Sequence, residues 1–438
     1  MSSPVDLMLL PRWLVPVEPV DVVLEDHAMV VRDGRIVDIL PADFARQGYV
    51  ATETLELPEH ALLPGLINTH THAAMSLLRG LADDRPLMDW LEHYIWPAET
   101  AHVSRDYCRS GVRLACAEMI RGGQTCFNDM YYFPDVAAEV VREAGMRATL
   151  GLIVLDFPTA WATDADEYIH KGLELHDALR HEPLLRTAFA PHAPYTVSDA
   201  PLEQVRKYAT ELGIPIHMHL HETAQEVELA IATHGCRPWE RLRRLELLGA
   251  DFIGVHMTQL NGEEIEEAAQ LGVSVVHCPE SNLKLASGFC PVAKLLEAGV
   301  NVALGTDGAA SNNDLDLYGE MRTAALLAKA VAGDAAVLPA AEALHMATLA
   351  GARALGMESE IGSLKKGKSA DFIAVDLSAL ETQPIYDVVS QLAYAAGRQH
   401  VTDVFVAGRA LLRDRKLLTL DPSAILADTQ QWRKRIAP

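Results

Sequence analysis

Ala61-Leu62-Leu63-Pro64-Gly65-Leu66-Ile67-Asn68-Thr69-His70-Thr71-His72 is the stretch from which the rest of the chain can be read. Its apolar run, punctuated by Pro64-Gly65, predicts a buried strand ending near Asn68. Two imidazoles two positions apart at such an end fall on one side of the chain and can share a cation. A metal site close to the N-terminal edge of a large domain is therefore the first expectation.

Downstream of this strand, short β-rich runs alternate with helical stretches rich in Ala, Leu, Glu and Arg. That order predicts a parallel sheet. Eight candidate strands end near Asn68, Asn128, Ile153, Ala190, His219, His256, His277 and Thr306. An eightfold repeat of this kind closes as a (β/α)8 TIM-like barrel, with functional groups at the carboxyl ends of its strands. Upstream, residues 1–60 alternate apolar and polar positions and carry the hairpin signal Asp33-Gly34. The far end resembles them, with Ala370-Asp371-Phe372-Ile373-Ala374-Val375 and Val404-Phe405-Val406 followed by Ala407-Gly408-Arg409. Two or three strands at either end are marginal alone. The reading is thus a small β-sandwich domain composed of both termini, residues 1–60 and 366–438, with the barrel at 61–365.

Composition narrows the function. A chain of 438 residues has ample material for a deep, dry pocket. The formal charge of −23 opposes any phosphate backbone or anionic membrane surface, so neither nucleic acid nor membrane is expected as a partner. The N-terminus lacks the basic and long apolar regions of an export signal, which points to the cytoplasm. Homo-oligomerisation is compatible with a metabolic enzyme of this size. The six cysteines form no C-x-x-C pair, so a metal should be held by nitrogen and oxygen.

The residues that bind metals cluster at the predicted strand ends: His70 and His72; His217, His219 and His221; His256; and Asp307 in Gly305-Thr306-Asp307-Gly308. Three histidines and one aspartate suit Zn2+. His217, His219 and His221 share strand parity, and periodicity cannot choose among them.

The motifs Pro64 to His72, His219-Leu220-His221-Glu222-Thr223 and Gly305 to Gly308 resemble the amidohydrolase superfamily. So do Trp96-Pro97-Ala98-Glu99, Ala190-Pro191-His192-Ala193-Pro194-Tyr195 and His277-Cys278-Pro279-Glu280-Ser281-Asn282-Leu283-Lys284. Within it, the chain is similar to the 5′-methylthioadenosine/S-adenosylhomocysteine deaminases, in the branch that also holds triazine hydrolases. The resemblance implies one zinc per subunit, with Fe or Mn as substitutes, bound by His70, His72, His219 and Asp307. It chooses His219 over its two neighbours and leaves His217 as a hydrogen-bonded barrel histidine. No lysine stands in Thr187-Ala188-Phe189-Ala190-Pro191-His192, where dinuclear members carry a bridging carboxylated one. A mononuclear site follows, with His256 holding or polarising the attacking water.

By the same resemblance Glu222 carries protons between water, ring nitrogen and departing ammonia, and Asp307 and His256 accept the proton of water. Glu99 accepts from the ribose hydroxyls, His192 lies near the sugar, and Trp90, with Leu87 and Met88, covers the base or 5′ group. One departure stands out. Relatives that take S-adenosylhomocysteine clamp its carboxylate with arginines after the third strand, whereas residues 154–167 here contain no arginine and carry Asp156, Asp164, Asp166 and Glu167. Uncharged 5′ groups are therefore expected to be preferred. A guanine- or pterin-type deaminase or a triazine chlorohydrolase would use the same metal chemistry, but Glu99 and His192 favour a nucleoside. A non-catalytic binding barrel would be expected to have lost ligands, and none is lost.

Overall fold

The computed structural model describes residues 3–437. Its centre is a sheet of eight parallel strands, Leu66–Thr71, Gln124–Asp129, Arg147–Val154, Leu185–Pro191, Ile216–Leu220, Phe252–His256, Ser274–His277 and Asn301–Leu304, each hydrogen-bonded to the next in chain order. A parallel bridge between Thr71 and Asp307 joins the last strand to the first. The barrel closes there, and the seam coincides with the cluster of metal-binding residues. Gly305 makes the seam possible: a Cβ at this position would stand 2.8 Å from the Cβ of His70 and 2.9 Å from its backbone nitrogen. Asn68 ties the same seam, donating to the Thr306 hydroxyl at 2.8 Å and accepting the Thr306 N–H at 3.0 Å.

Both chain ends meet in a second sheet of nine strands. Tyr49–Pro64 is its spine, pairing in parallel with Ser3–Leu14 and antiparallel with Phe372–Asp376. The hairpin over Asp33-Gly34 forms as its turn residues predict, with both φ values positive. The sheet curls until opposite hairpins touch: Gly34 accepts a hydrogen bond from Ala370, and Gly408 donates to Ala370. The two layers expected of a sandwich are thus halves of one hydrogen-bonded path around Leu9, Met29, Leu62 and the stacked pair Phe372–Phe405.

Two boundaries differ from the sequence reading. The spine strand stays in the terminal sheet through Pro64, so the chain passes to the barrel at Gly65 rather than at residue 61. Pro422–Ile436, grouped by sequence with the terminal sheet, is a helix lying on the barrel helix Arg105–Arg121. It buries Ile425 and Trp432, the latter edge-on to Tyr107 at 5.4 Å. An amphipathic helix goes where an apolar surface awaits it, and that surface belongs to the barrel. A buried ion pair, Arg147 to Asp371 at 2.9 Å, joins barrel to sheet. Among the described residues, no helix is long and apolar enough to cross a membrane.

Candidate metal centre

Four of the eight strands bring metal-binding side chains to a cleft at their carboxyl ends. His70 lies within the first strand, and His72 follows it; His219 lies within the fifth, His256 ends the sixth, and Asp307 follows the eighth. The His70 Nε2 to Asp307 Oδ1 distance is 3.1 Å, and His72 Nε2 to the same oxygen is 3.2 Å. His219 Nε2 stands 3.2 Å from His70 Nε2 and 3.3 Å from His72 Nε2. A tetrahedron with metal–ligand bonds of about 2.0–2.1 Å has donors about 3.3–3.4 Å apart. The four groups therefore surround a space of the right size for zinc.

The outer nitrogens and oxygens decide what those four atoms are. His72 Nδ1 donates to the Met130 carbonyl at 2.5 Å, and His219 Nδ1 donates to the His192 carbonyl at 2.8 Å. His70 Nδ1 pairs with His217 Nε2 at 2.9 Å. With each Nδ1 engaged outward, three Nε2 atoms converge on a carboxylate oxygen, an arrangement suited to a cation between them. Asp307 is braced likewise: its Oδ2 accepts from the hydroxyls of Ser281 and Ser311, each at 2.7 Å. Burial pulls the His70 imidazole down to about 4 and holds His219 well below its ordinary value, so both rings are neutral bases at neutral pH. For His72, burial is outweighed by the hydrogen bond and charge of Asp307, which raise it to about 9. A proton and a metal ion compete for that nitrogen.

The backbone is strained where the site is densest. His221, His256, Met257 and Asp307 all adopt positive φ, at 55°, 71°, 51° and 59°. Such conformations cost about 1–3 kcal/mol each and persist only where the surroundings over-determine them. The surroundings are visible for Glu222: the Glu226 carboxylate accepts the backbone N–H of His221 at 3.0 Å and of Glu222 at 2.7 Å. Glu222 itself is buried, which raises its carboxyl above the ordinary range while His256 works against the rise. Its Oε2 is 3.9 Å from His256 Nε2. His256 donates through Nδ1 to Asn282 Oδ1 at 2.8 Å and stacks on His219. His256 also offers a donor atom within 4.8 Å of those of His70, His219 and Asp307.

The three histidines of the fifth strand are now distinct. His219 faces the cluster, His217 supports His70, and His221 is buried away from the cleft, accepting the Trp239 N–H at 3.0 Å. Above the cluster, the cleft encloses about 680 Å³ including its mouth, lined among others by Trp90, Glu99, His192, Glu222, His256 and Asp307. Leu87 lines it as well, whereas Met88 packs behind. A π-helical turn at Leu91–Ile95, between the helices Leu87–Trp90 and Trp96–His102, shifts the register so that Trp90, Leu91, Ile95, Trp96 and Glu99 share one wall. Burial raises the Glu99 carboxyl to about 7, although it accepts from the Tyr131 hydroxyl at 2.6 Å.

The roles of several of these partners escaped the sequence reading: Tyr131, Glu226, Ser281, Asn282 and Ser311. Glu226 alone had a local signal, because Thr223-x-x-Glu226 is a capping pattern at the start of the helix Ala224–His234. Ser311 follows Asp307 by four residues, and Tyr131, Ser281 and Asn282 act across strands, where sequence spacing says nothing.

Comparison with known proteins bears on this cleft directly. A model of the amidohydrolase family matches residues 61–411. The chain is 50% identical to the 5-methylthioadenosine/S-adenosylhomocysteine deaminase of Saccharophagus degradans, over 99% of this chain and 98% of the other. It is 49% identical to the enzyme of the same name from Teredinibacter turnerae, with the same coverage. The crystal structure of an adenosine deaminase from Xanthomonas campestris with bound zinc superimposes with a TM-score of 0.99 at 56% identity, covering 100% of this chain and 99% of that one.

Proposed function

This chain belongs to the amidohydrolase family, and from that premise we propose that it is a zinc-dependent deaminase of adenine nucleosides of the 5′-methylthioadenosine and S-adenosylhomocysteine class. The reaction replaces the exocyclic amine by oxygen, consuming water and releasing ammonia with the inosine analogue. The observation that carries this reading is the convergence of His70, His72, His219 and Asp307 beneath Glu222, in a cleft that also presents Glu99.

His70, His72, His219 and Asp307 would hold the zinc, whose Lewis acidity lowers the pKa of water to about 7. The remaining work belongs to the protein. Burial raises the Glu222 carboxyl above its ordinary range, so this group holds a proton more readily than an exposed carboxylate would. It takes a proton from the attacking water, gives one to the ring nitrogen beside the reacting carbon, and assists ammonia as it leaves. His256 commits its Nδ1 proton to Asn282, which leaves Nε2 free to accept from the water. Asp307 stays an acceptor on its inner oxygen because two serine hydroxyls occupy the outer one.

Glu99 accepts both ribose hydroxyls, His192 borders the sugar, and Trp90 covers the bound nucleoside from the wall segment. The six cysteines are all free, which supports a reducing, cytoplasmic setting. The deciding experiment mixes metal-quantified protein with 5′-methylthioadenosine, S-adenosylhomocysteine, adenosine and guanine separately and follows ammonia. Release from the adenine nucleosides and none from guanine is expected. Silence on every nucleoside, with zinc fully bound, overturns the reading.

A further inference from the structure

The motif that ends in Lys284 is only partly used by the chemistry of the cleft. Ser281 and Asn282 brace Asp307 and His256, whereas Lys284, closing the same helix Pro279–Lys284, has other partners. Its Nζ donates to Asp83 Oδ1 at 2.8 Å, to the Ala310 carbonyl at 3.2 Å and to Asn313 Oδ1. An ammonium has three donors, and here each meets an acceptor. Asn313 completes the set by donating through Nδ2 to Asp83 Oδ2 at 3.0 Å. The lysine side chain is 20% exposed, so these bonds are made largely out of water.

Three segments that build the site meet at this amine. Ser281 and Asn282 share the helix of Lys284, and Ala310 shares the short helix Ala309–Asn312 with Ser311, the second serine on Asp307. Asp83 belongs to the third, the outer wall that carries Trp90, Leu91, Ile95, Trp96 and Glu99. Among the described residues, side-chain hydrogen bonds and ion pairs tie residues 81–99 to the rest of the protein at two places. One is Asp83 with Lys284 and Asn313; the other is Glu99 with Tyr131. The remaining ion pairs of the segment, Arg85 and His93 with Asp89, are internal to it. Between the ties, Trp90, Leu91 and Ile95 are buried by packing. Gly80, immediately before the segment, has a φ of 70° and nothing within 4 Å of where a Cβ would stand. The chain thus enters the wall through a joint that packing does not fix.

We infer that Lys284 is a positioning residue for the deaminase: its ammonium clamps Asp83 and so holds the wall segment 81–99 over the metal centre, setting affinity for the nucleoside rather than the rate of its chemistry. This rests on the deaminase reading, in which Trp90 covers the nucleoside and Glu99 takes its ribose hydroxyls. Releasing Asp83 leaves the floor with its own hydrogen bonds and leaves the wall tied only at Glu99. Contacts made equally to substrate and transition state are then lost, which appears in KM.

The test compares zinc-loaded wild type, Lys284→Met, Asp83→Ala and the double variant on 5′-methylthioadenosine, with hydrogen–deuterium exchange of the same four proteins. Each single variant should retain zinc, raise KM about five- to tenfold and hold kcat within about twofold. The double variant should go no further than either single one, because both remove one interaction. Amides of residues 81–99 should exchange about tenfold faster in all three variants while those of the barrel strands keep their wild-type rates. Additive effects, or wild-type KM with wild-type exchange over 81–99, overturn the clamp. A fall in kcat and zinc content with KM unchanged also overturns it, and assigns Lys284 to the floor with the serines. Wild-type enzyme that deaminates no nucleoside overturns the deaminase reading instead; exchange over 81–99 then decides the clamp, which accelerated exchange sustains and unaltered exchange overturns.

Discussion

The floor of the cleft and its outer wall are built on opposite principles. On the floor, the principal polar side chains have named partners: Nδ1 atoms are directed to carbonyls or side chains, the Asp307 oxygens are shared between histidines and serines, and the Glu222 turn is held by Glu226. On the wall, Trp90, Trp96 and Tyr132 are placed by packing, the tryptophans on a segment with a π-helical turn and Tyr132 in the loop after the second strand. A network of directional bonds tolerates no substitution without leaving a buried group unpaired. A packed apolar surface tolerates many, and changes what it admits rather than whether chemistry occurs. Reaction type is therefore invested in the floor and substrate range in the wall.

Removing a floor residue that touches the metal position should break this contrast most severely. His219→Ala should lose zinc and, with it, turnover; metal analysis showing full occupancy would remove His219 from the ligand set. Glu222→Gln should keep zinc and fold yet lose about 10²–10⁴ in kcat. Unchanged turnover would exclude Glu222 from proton transfer. One layer further out, Asn282→Ala or Ser281→Ala paired with Ser311→Ala should each cost about 10–100-fold in activity or metal affinity, since they free His256 or Asp307 to reorient. Wild-type values in both assays would mean that the inner groups are held by packing alone.

The smallest effect lies where wall meets floor. Because burial places the Glu99 carboxyl at about 7, it is ionised above that pH and a two-hydroxyl acceptor, and protonated below it. As pH falls through about 7, kcat/KM for ribosides should fall by up to tenfold per unit, carried by KM. A 2′,3′-dideoxy substrate should lack this limb of the profile, and its persistence there would assign the limb to another group.

Legibility in the sequence follows the same division. All eight barrel strands could be located because each is a short buried run whose pattern is local, and the His70, His72, Glu222 and Asp307 motifs stand at strand ends where that pattern stops. The two misplaced boundaries arose where local pattern is silent: Pro64-Gly65 does not say which sheet claims Ala61 to Pro64, and the helix Pro422–Ile436 does not say which surface it will cover. The choice among His217, His219 and His221 was equally closed to periodicity, since all three share parity.

By itself the sequence determined the alternation of strand and helix, the acidic surface, the donors available for a metal and the absence of arginine between residues 154 and 167. These are properties of composition and short-range pattern, and hydrophobic periodicity encodes them directly. Only the tertiary structure decided that Thr71 meets Asp307 at the barrel seam, that Ser281, Asn282 and Ser311 hold the inner side chains in place, and that one cleft gathers Trp90, Glu99, His192 and Glu222. The physical reason is distance along the chain. Apart from Ser311, four residues beyond Asp307, these hydrogen bonds and cavity walls join residues separated by tens to hundreds of positions, and only closure of the barrel brings them within reach.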